Sequence, residues 1–134
     1  MIARASPLRE AQSLADPSLA CDAPFVDEAA VGALVQLGGA DFLSGLLDQF
    51  AIECAMTPPA LSAALRAGDY ESFHAMLHGL GSAAGNIGAR RVFARCLAWR
   101  AASPRRLSTD GDAFLAVLAE DLARSLVALR RFAL

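Results

Sequence analysis

Two histidines stand four residues apart in "SFHAMLHGLGSAAGNIGA", residues 72–89. A neutral imidazole nitrogen can attack an electrophile, carry a proton or bind a metal near pH 7, so His74 and His78 hold most of the chemistry on offer here. Their i, i+4 spacing is that of two metal ligands on one helix face. No H-E-x-x-H glutamate accompanies them and no third ligand is evident, so no metal site is expected. The glycines behind His78 give "GLGSAAG", a G-x-G-x-x-x-G spacing. A dinucleotide loop would need a preceding strand and a βαβ unit around it, and a phosphate loop would need a following Lys-Ser/Thr. Both are missing. Cys21, Cys54 and Cys96 match no zinc or disulfide spacing, and Cys54 and Cys96 read as small core residues in a reducing, cytosolic setting. No acid–base pair or nucleophile triad stands out, which ranks an enzyme last among the readings.

These residues need a frame. The 134-residue chain is long enough for one domain with a core of its own. Its 55% hydrophobic fraction includes only seven Phe, one Trp and one Tyr, a balance that suits closely packed helices better than sheets. A net charge of −2 argues against nucleic acid or an anionic membrane as partner. No signal peptide is indicated, and Gln36, Asp41, Asp48, Gln49 and Glu53 interrupt the most apolar stretch, which excludes direct membrane insertion.

Residues 1–24 lack a lasting period and read as a linker or arm, with a short helix near residues 8–14; residues 25–134 read as the domain. A first helix is capped by Asp27 or the residue before it, has Glu28 in its first turn, and stops at Gly38-Gly39. A second, from Asp41, places Leu43, Leu46, Leu47, Phe50 and Cys54 on one face, then kinks or breaks at "MTPP", with Thr57 capping a continuation to Arg66. A third, residues 70–87, carries the stripe Phe73, Leu77, Leu80, Ala84 and Ile87. A fourth, 89–101, turns Val92, Cys96 and Trp99 inward. "SPRRLSTDGD" reads as a loop, and a last helix over 110–132 has a leucine side from Leu115 to Leu129. The expected fold is all-α: an up-and-down antiparallel four-helix bundle with an additional short N-terminal helix.

On that third helix His78 lies two positions, about 200°, from the inward Leu80. His74, His78, Gly81 or Ser82, and Gly85 should then face water as a nearly bare stripe on which a macromolecular partner can dock. Each helical glycine costs on the order of 1 kcal/mol relative to alanine, so the platform would account for the glycines.

The segment resembles the signature of histidine-containing phosphotransfer (HPt) domains, a pattern near H-x-L-K-G-S-A-A-N-I-G-A. His78, Leu80, Ala84, Asn86, Ile87, Gly88 and Ala89 fall in register, and Val92, Cys96 and Trp99 are similar to the apolar and cysteine positions that follow in that family. The likeness extends over about residues 25–132. It implies a four-helix bundle that accepts and donates a phosphoryl group on His78, with Leu80, Asn86, Gly88 and Ala89 as structural motif residues. The implied partners are response-regulator receiver domains and a sensor histidine kinase of a two-component phosphorelay. The chain would be a monomeric, cytoplasmic carrier rather than an enzyme, free-standing or tethered as the last module of a hybrid kinase at the inner membrane. It would hold no cofactor, Mg²⁺ belonging to the receiver. His74, Gly81, Ser82 and Gly85 would form the docking face.

One departure matters. The family usually has lysine three residues after the histidine, where this chain has Gly81, and Ser82 stands at the next glycine. Loss of that cation is expected to weaken phosphohistidine stabilisation, and installing lysine at Gly81 to restore it. Arg90 and Arg91 are the sources of charge considered on the next helix, and with Arg105 and Arg106 they make a candidate basic rim. The rival reading is a pseudo-HPt bundle that docks a receiver or kinase without transferring phosphate; a generic helical interaction bundle is the third.

Overall fold

The computed structural model describes residues 19–134. The fold is all-helical: α1 (Glu28–Ala67), α2 (Tyr70–Ile87), α3 (Arg90–Trp99) and α4 (Pro104–Arg130), closed by a 3₁₀ turn at Arg131–Ala133. No strand occurs among the described residues. The short helix expected near residues 8–14 lies outside the described residues.

Helix starts follow side-chain chemistry. Asp27 caps α1 by accepting from the Ala30 amide at 3.2 Å, and Asp69 caps α2 by accepting from the Ser72 amide at 3.1 Å. Such caps satisfy amides that have no intrahelical partner. The expected stop at Gly38-Gly39 is a break rather than an end: Gly39 has φ 83 and ψ −179, and the chain resumes as helix directly. Only glycine adopts that backbone freely.

Two boundaries differ from the sequence expectation. The first is at "MTPP", where, of the expected kink or break, the break and fresh start at Thr57 do not occur: α1 continues through Pro58 and Pro59. Proline in a helix interior forfeits a hydrogen bond and costs about 3 kcal/mol. Here the prolines lie off the core-facing side, whereas Leu47, Phe50, Leu61 and Ala64, on either side of them, are all buried. Continuous burial of that face outweighs the lost bonds. The second is "SPRRLSTDGD", which is helix rather than loop. Ser103 caps α4 by accepting from the Arg106 amide at 3.1 Å, with Pro104 in the first turn. Proline is favourable there because its missing N–H would have no partner anyway. Burial of Leu107 and Gly111 anchors the added turns, with Leu65 of α1 lying where a Gly111 Cβ would stand.

α1 packs against α2 and α4, α2 also against α3, and α3 also against α4. The expected apolar stripe of α2 is buried throughout, as are Val92, Cys96 and Trp99 of α3. Trp99 stacks on Phe114 of α4 at 4.5 Å between ring centroids, and Phe73 of α2 approaches Phe114 at 6.4 Å. These rings tie three helices together. By length and composition α1 would pass as a membrane span; Val31, Leu43, Leu47, Phe50 and Leu61 on it are buried within the fold, whereas Leu37, Ile52 and Met56 are exposed.

Residues 19–27, most of which the sequence assigned to an arm, are pinned to α3. The Arg91 Nε donates to the Ala23 carbonyl at 2.7 Å, and its guanidinium lies 4.0 Å from the Phe25 ring centroid. Arg95 is buried with Asp121 of α4 in an ion pair and also donates to the Leu19 carbonyl.

Candidate functional site

α2 presents its two histidines very differently. His78 is exposed, and no hydrogen bond holds its ring among the described residues. His74, one turn earlier, is half-buried. Its Nε2 donates to the Ala102 carbonyl at 3.0 Å in the α3–α4 connection, and its Nδ1 is buried without a partner. Phe73 meets its ring edge-on at 5.9 Å. His74 therefore holds a connection in place and is not part of an open stripe.

The glycines sort into three uses. Gly88 has φ 85, and its N–H closes α2 on the Ala84 carbonyl; a Cβ there would meet Val31 Cγ2 at 2.8 Å. The next amide, Ala89, bonds the same carbonyl at 2.8 Å, and the Gly88 carbonyl accepts from Asp27 at 2.9 Å. This is the left-handed helix end that glycine favours, and it stitches the start of α1 to the end of α2. Gly81 and Gly85 admit α3. A Cβ on Gly81 would lie 3.0 Å from Cys96 Cβ, and one on Gly85 would lie 3.1 Å from Phe93 Cδ1. Gly79 faces open space. The bare platform is thus narrower than the helical wheel implied: His78, Gly79, Ser82, Gly85 and Asn86 are exposed, whereas Gly81 and His74 are not. Leu80 and Ala89 are core.

Beside His78 runs a groove of about 130 Å³ between α2 and α3. Leu77, His78, Gly81 and Ser82 form the α2 wall. The α3 wall has Cys96 at its base with Phe93, Leu97 and Arg100 above it. Burial pushes the Cys96 thiol up to about 12, so it is a protonated, inert lining group at neutral pH. Cys54 is likewise raised to about 12, by burial and then by Glu53. No group of three potential metal ligands converges among the described residues.

The arginines considered in the sequence lie elsewhere. Arg90 pairs with Asp27 at 3.8 Å and Arg91 is spent on Ala23 and Phe25, both at the Gly88 end of α2. His78 is ten residues up the helix, about 15 Å away along its axis. Arg106 pairs with Asp110 at 3.4 Å and covers the Trp99 ring, and Arg105 is exposed on the first turn of α4. Arg100, which sequence reasoning passed over, is the charged residue of the groove. A signal existed: Phe93, Leu97 and Arg100 are spaced i, i+4, i+7, one turn-face beside the inward Cys96.

Lysine at Gly81 also acquires a different meaning. Its Cβ would require Cys96 and α3 to yield by a few tenths of an ångström, so Gly81→Lys perturbs packing and is not a clean restoration of charge. Compared with family models, curated proteins and solved structures, the chain matches none.

Proposed function

We propose that the protein is a phosphorelay module of the histidine phosphotransfer type, in which His78 takes a phosphoryl group from an aspartyl phosphate on a receiver domain and passes it on. The observation that carries this reading is the exposed His78 ring, unbonded among the described residues, with open space over Gly79 on one side and a groove that holds Arg100 on the other. We read the four helices, joined by connections of two, two and four residues, as an up-and-down antiparallel bundle.

In the step, the lone pair of one imidazole nitrogen forms an N–P bond as the acyl-phosphate O–P bond breaks, and that bond's electrons leave with the aspartate carboxylate. The proton on the other ring nitrogen stays or passes to water. Phosphoryl transfer asks mainly for alignment and charge neutralisation, so a ring free of hydrogen bonds on a rigid helix suffices on this side, and Mg²⁺ acts from the receiver. The chain is then a substrate of its partners, a cytoplasmic carrier in two-component signalling.

Incubation with a phosphorylated receiver tests this. Acid-labile, base-stable label is expected on the wild type and on His74→Ala, and none on His78→Ala. A second reading, receiver docking without transfer, draws on the neutral, packed Gly81; stable complexes with receivers that never yield label would select it.

A further inference from the structure

We infer that Arg100 is the anion-binding residue of the His78 groove, contacting the phosphoryl oxygens once the group sits on the imidazole; this rests on the phosphotransfer reading above. The groove has two walls, and each contributes one side chain able to act on a phosphoryl group. His78 supplies the nitrogen from α2, and Arg100 supplies a guanidinium from the end of α3. The remaining lining is Ser82, which has a hydroxyl, and apolar or inert surface. Among the described residues no carboxylate lines the groove to compete for the cation.

The other arginines of α3 sharpen the assignment. Arg90, Arg91 and Arg95 are each engaged with a carboxylate, a carbonyl or a ring. Arg100 makes no ion pair or hydrogen bond among the described residues. An exposed arginine with no partner, set opposite an exposed histidine with none, leaves the fork of N–H donors available for a tetrahedral oxyanion. Phe93 and Leu97, 39% and 46% exposed, line the same wall of the groove as Arg100. A phosphoryl group carries close to two negative charges near neutral pH, so it is the natural counter-charge for this position. In this chain the positive charge comes from α3, across the groove, which explains how Gly81 can be given over to helix packing.

The test uses phosphoramidate as donor, so that no partner protein is needed: its N–P bond breaks, ammonia leaves and the ring nitrogen takes the phosphoryl group. Wild type, Arg100→Gln, Arg100→Lys, and Arg131→Gln as a charge-matched control in another surface groove are labelled at low and high salt, and the rate at His78 is followed by ³¹P NMR. Arg100→Gln is expected to label about three- to tenfold more slowly at low salt, with a flattened salt dependence, because the attraction it removes is a screened one. Arg100→Lys recovers most of the rate, and Arg131→Gln matches wild type. Equal rates and equal salt slopes for wild type and Arg100→Gln overturn the inference while leaving phosphotransfer standing. Wild-type protein that takes no label at His78, from phosphoramidate or from a receiver, removes both.

Discussion

His74 and His78 share a helix, a residue type and nearly a face, yet the fold treats them oppositely. The ring of His74 is half-buried, bonded to the Ala102 carbonyl and braced by Phe73; that of His78 is exposed and makes no hydrogen bond among the described residues. The arginines of α3 repeat the contrast. Arg95 is sunk into an ion pair with Asp121, while Arg100, five residues on, lies at the groove with no partner among the described residues. The groups that tie elements together are bonded internally, although His74 Nδ1 and Ser125 Oγ stay buried without a partner among the described residues, whereas His78 and Arg100 are the open pair that share one groove. A buried polar group without its partner is penalised, so the structural set is committed. A group that must receive something transiently has to be left open.

The largest expected effect breaks the arginine half of this contrast. Asp121→Ala strands the Arg95 charge, and removing one member of a buried pair destabilises by about 3–5 kcal/mol. Arg100→Gln is exposed and is expected to stay within about 0.5 kcal/mol of wild type. Urea denaturation of the two variants side by side decides the matter; comparable midpoints would erase the division between structural and free arginines.

The glycines of α2 offer the next test. Gly88→Ala forces alanine into positive φ against Val31, an expected loss of about 1–3 kcal/mol. Gly79→Ala meets nothing and is expected to gain up to about 1 kcal/mol. Opposite signs in thermal melts would confirm that one glycine serves the backbone and the other only openness beside His78. The histidines follow at smaller scale. His74→Ala gives up one hydrogen bond, about 1 kcal/mol, and keeps the label, whereas His78→Ala keeps stability and loses the label.

The helix periodicity was legible because it depends on side chains three and four apart: Phe73 to Ile87 on α2, and Val92, Cys96 and Trp99 on α3, are all buried. The local rules failed where two of them competed. Pro58-Pro59 signalled a kink or break, and burial of Leu61 and Ala64 beyond them keeps the helix from ending there. Ser103-Pro104 could open a helix or a loop, and buried Leu107 decided for helix. His78 could be placed outward from a single wheel. The rest of the site could not, because Gly81 and Gly85 are answered by Cys96 and Phe93 on another helix, and no wheel of α2 contains α3. Arg95 shows the same limit: its i, i+3 relation to Val92 put it on the apolar face, but its partner Asp121 is 26 residues away.

The smallest expected effect concerns the start of the histidine helix, far from the groove. The Asp69 carboxyl accepts from the Ser72 hydroxyl at 2.7 Å and from its amide at 3.1 Å, and these bonds, the hydroxyl first, hold it below its ordinary value of 3.8. A carboxylate bound more tightly in the folded state than in the unfolded chain contributes stability that is complete above the unfolded value. That contribution fades as pH falls through the depressed folded value. Asp69→Asn can still cap through its amide oxygen but does not titrate. The stability difference between wild type and Asp69→Asn is therefore expected to be constant from pH 7 to pH 5 and to shrink below about pH 4. His78 labelling should be the same in both at pH 7. If the difference instead persisted undiminished into strong acid, the cap would owe nothing to its charge. If labelling changed with it, the two ends of α2 would be coupled, and the separation between the scaffold's committed polar groups and the open site would not hold along the helix that carries both.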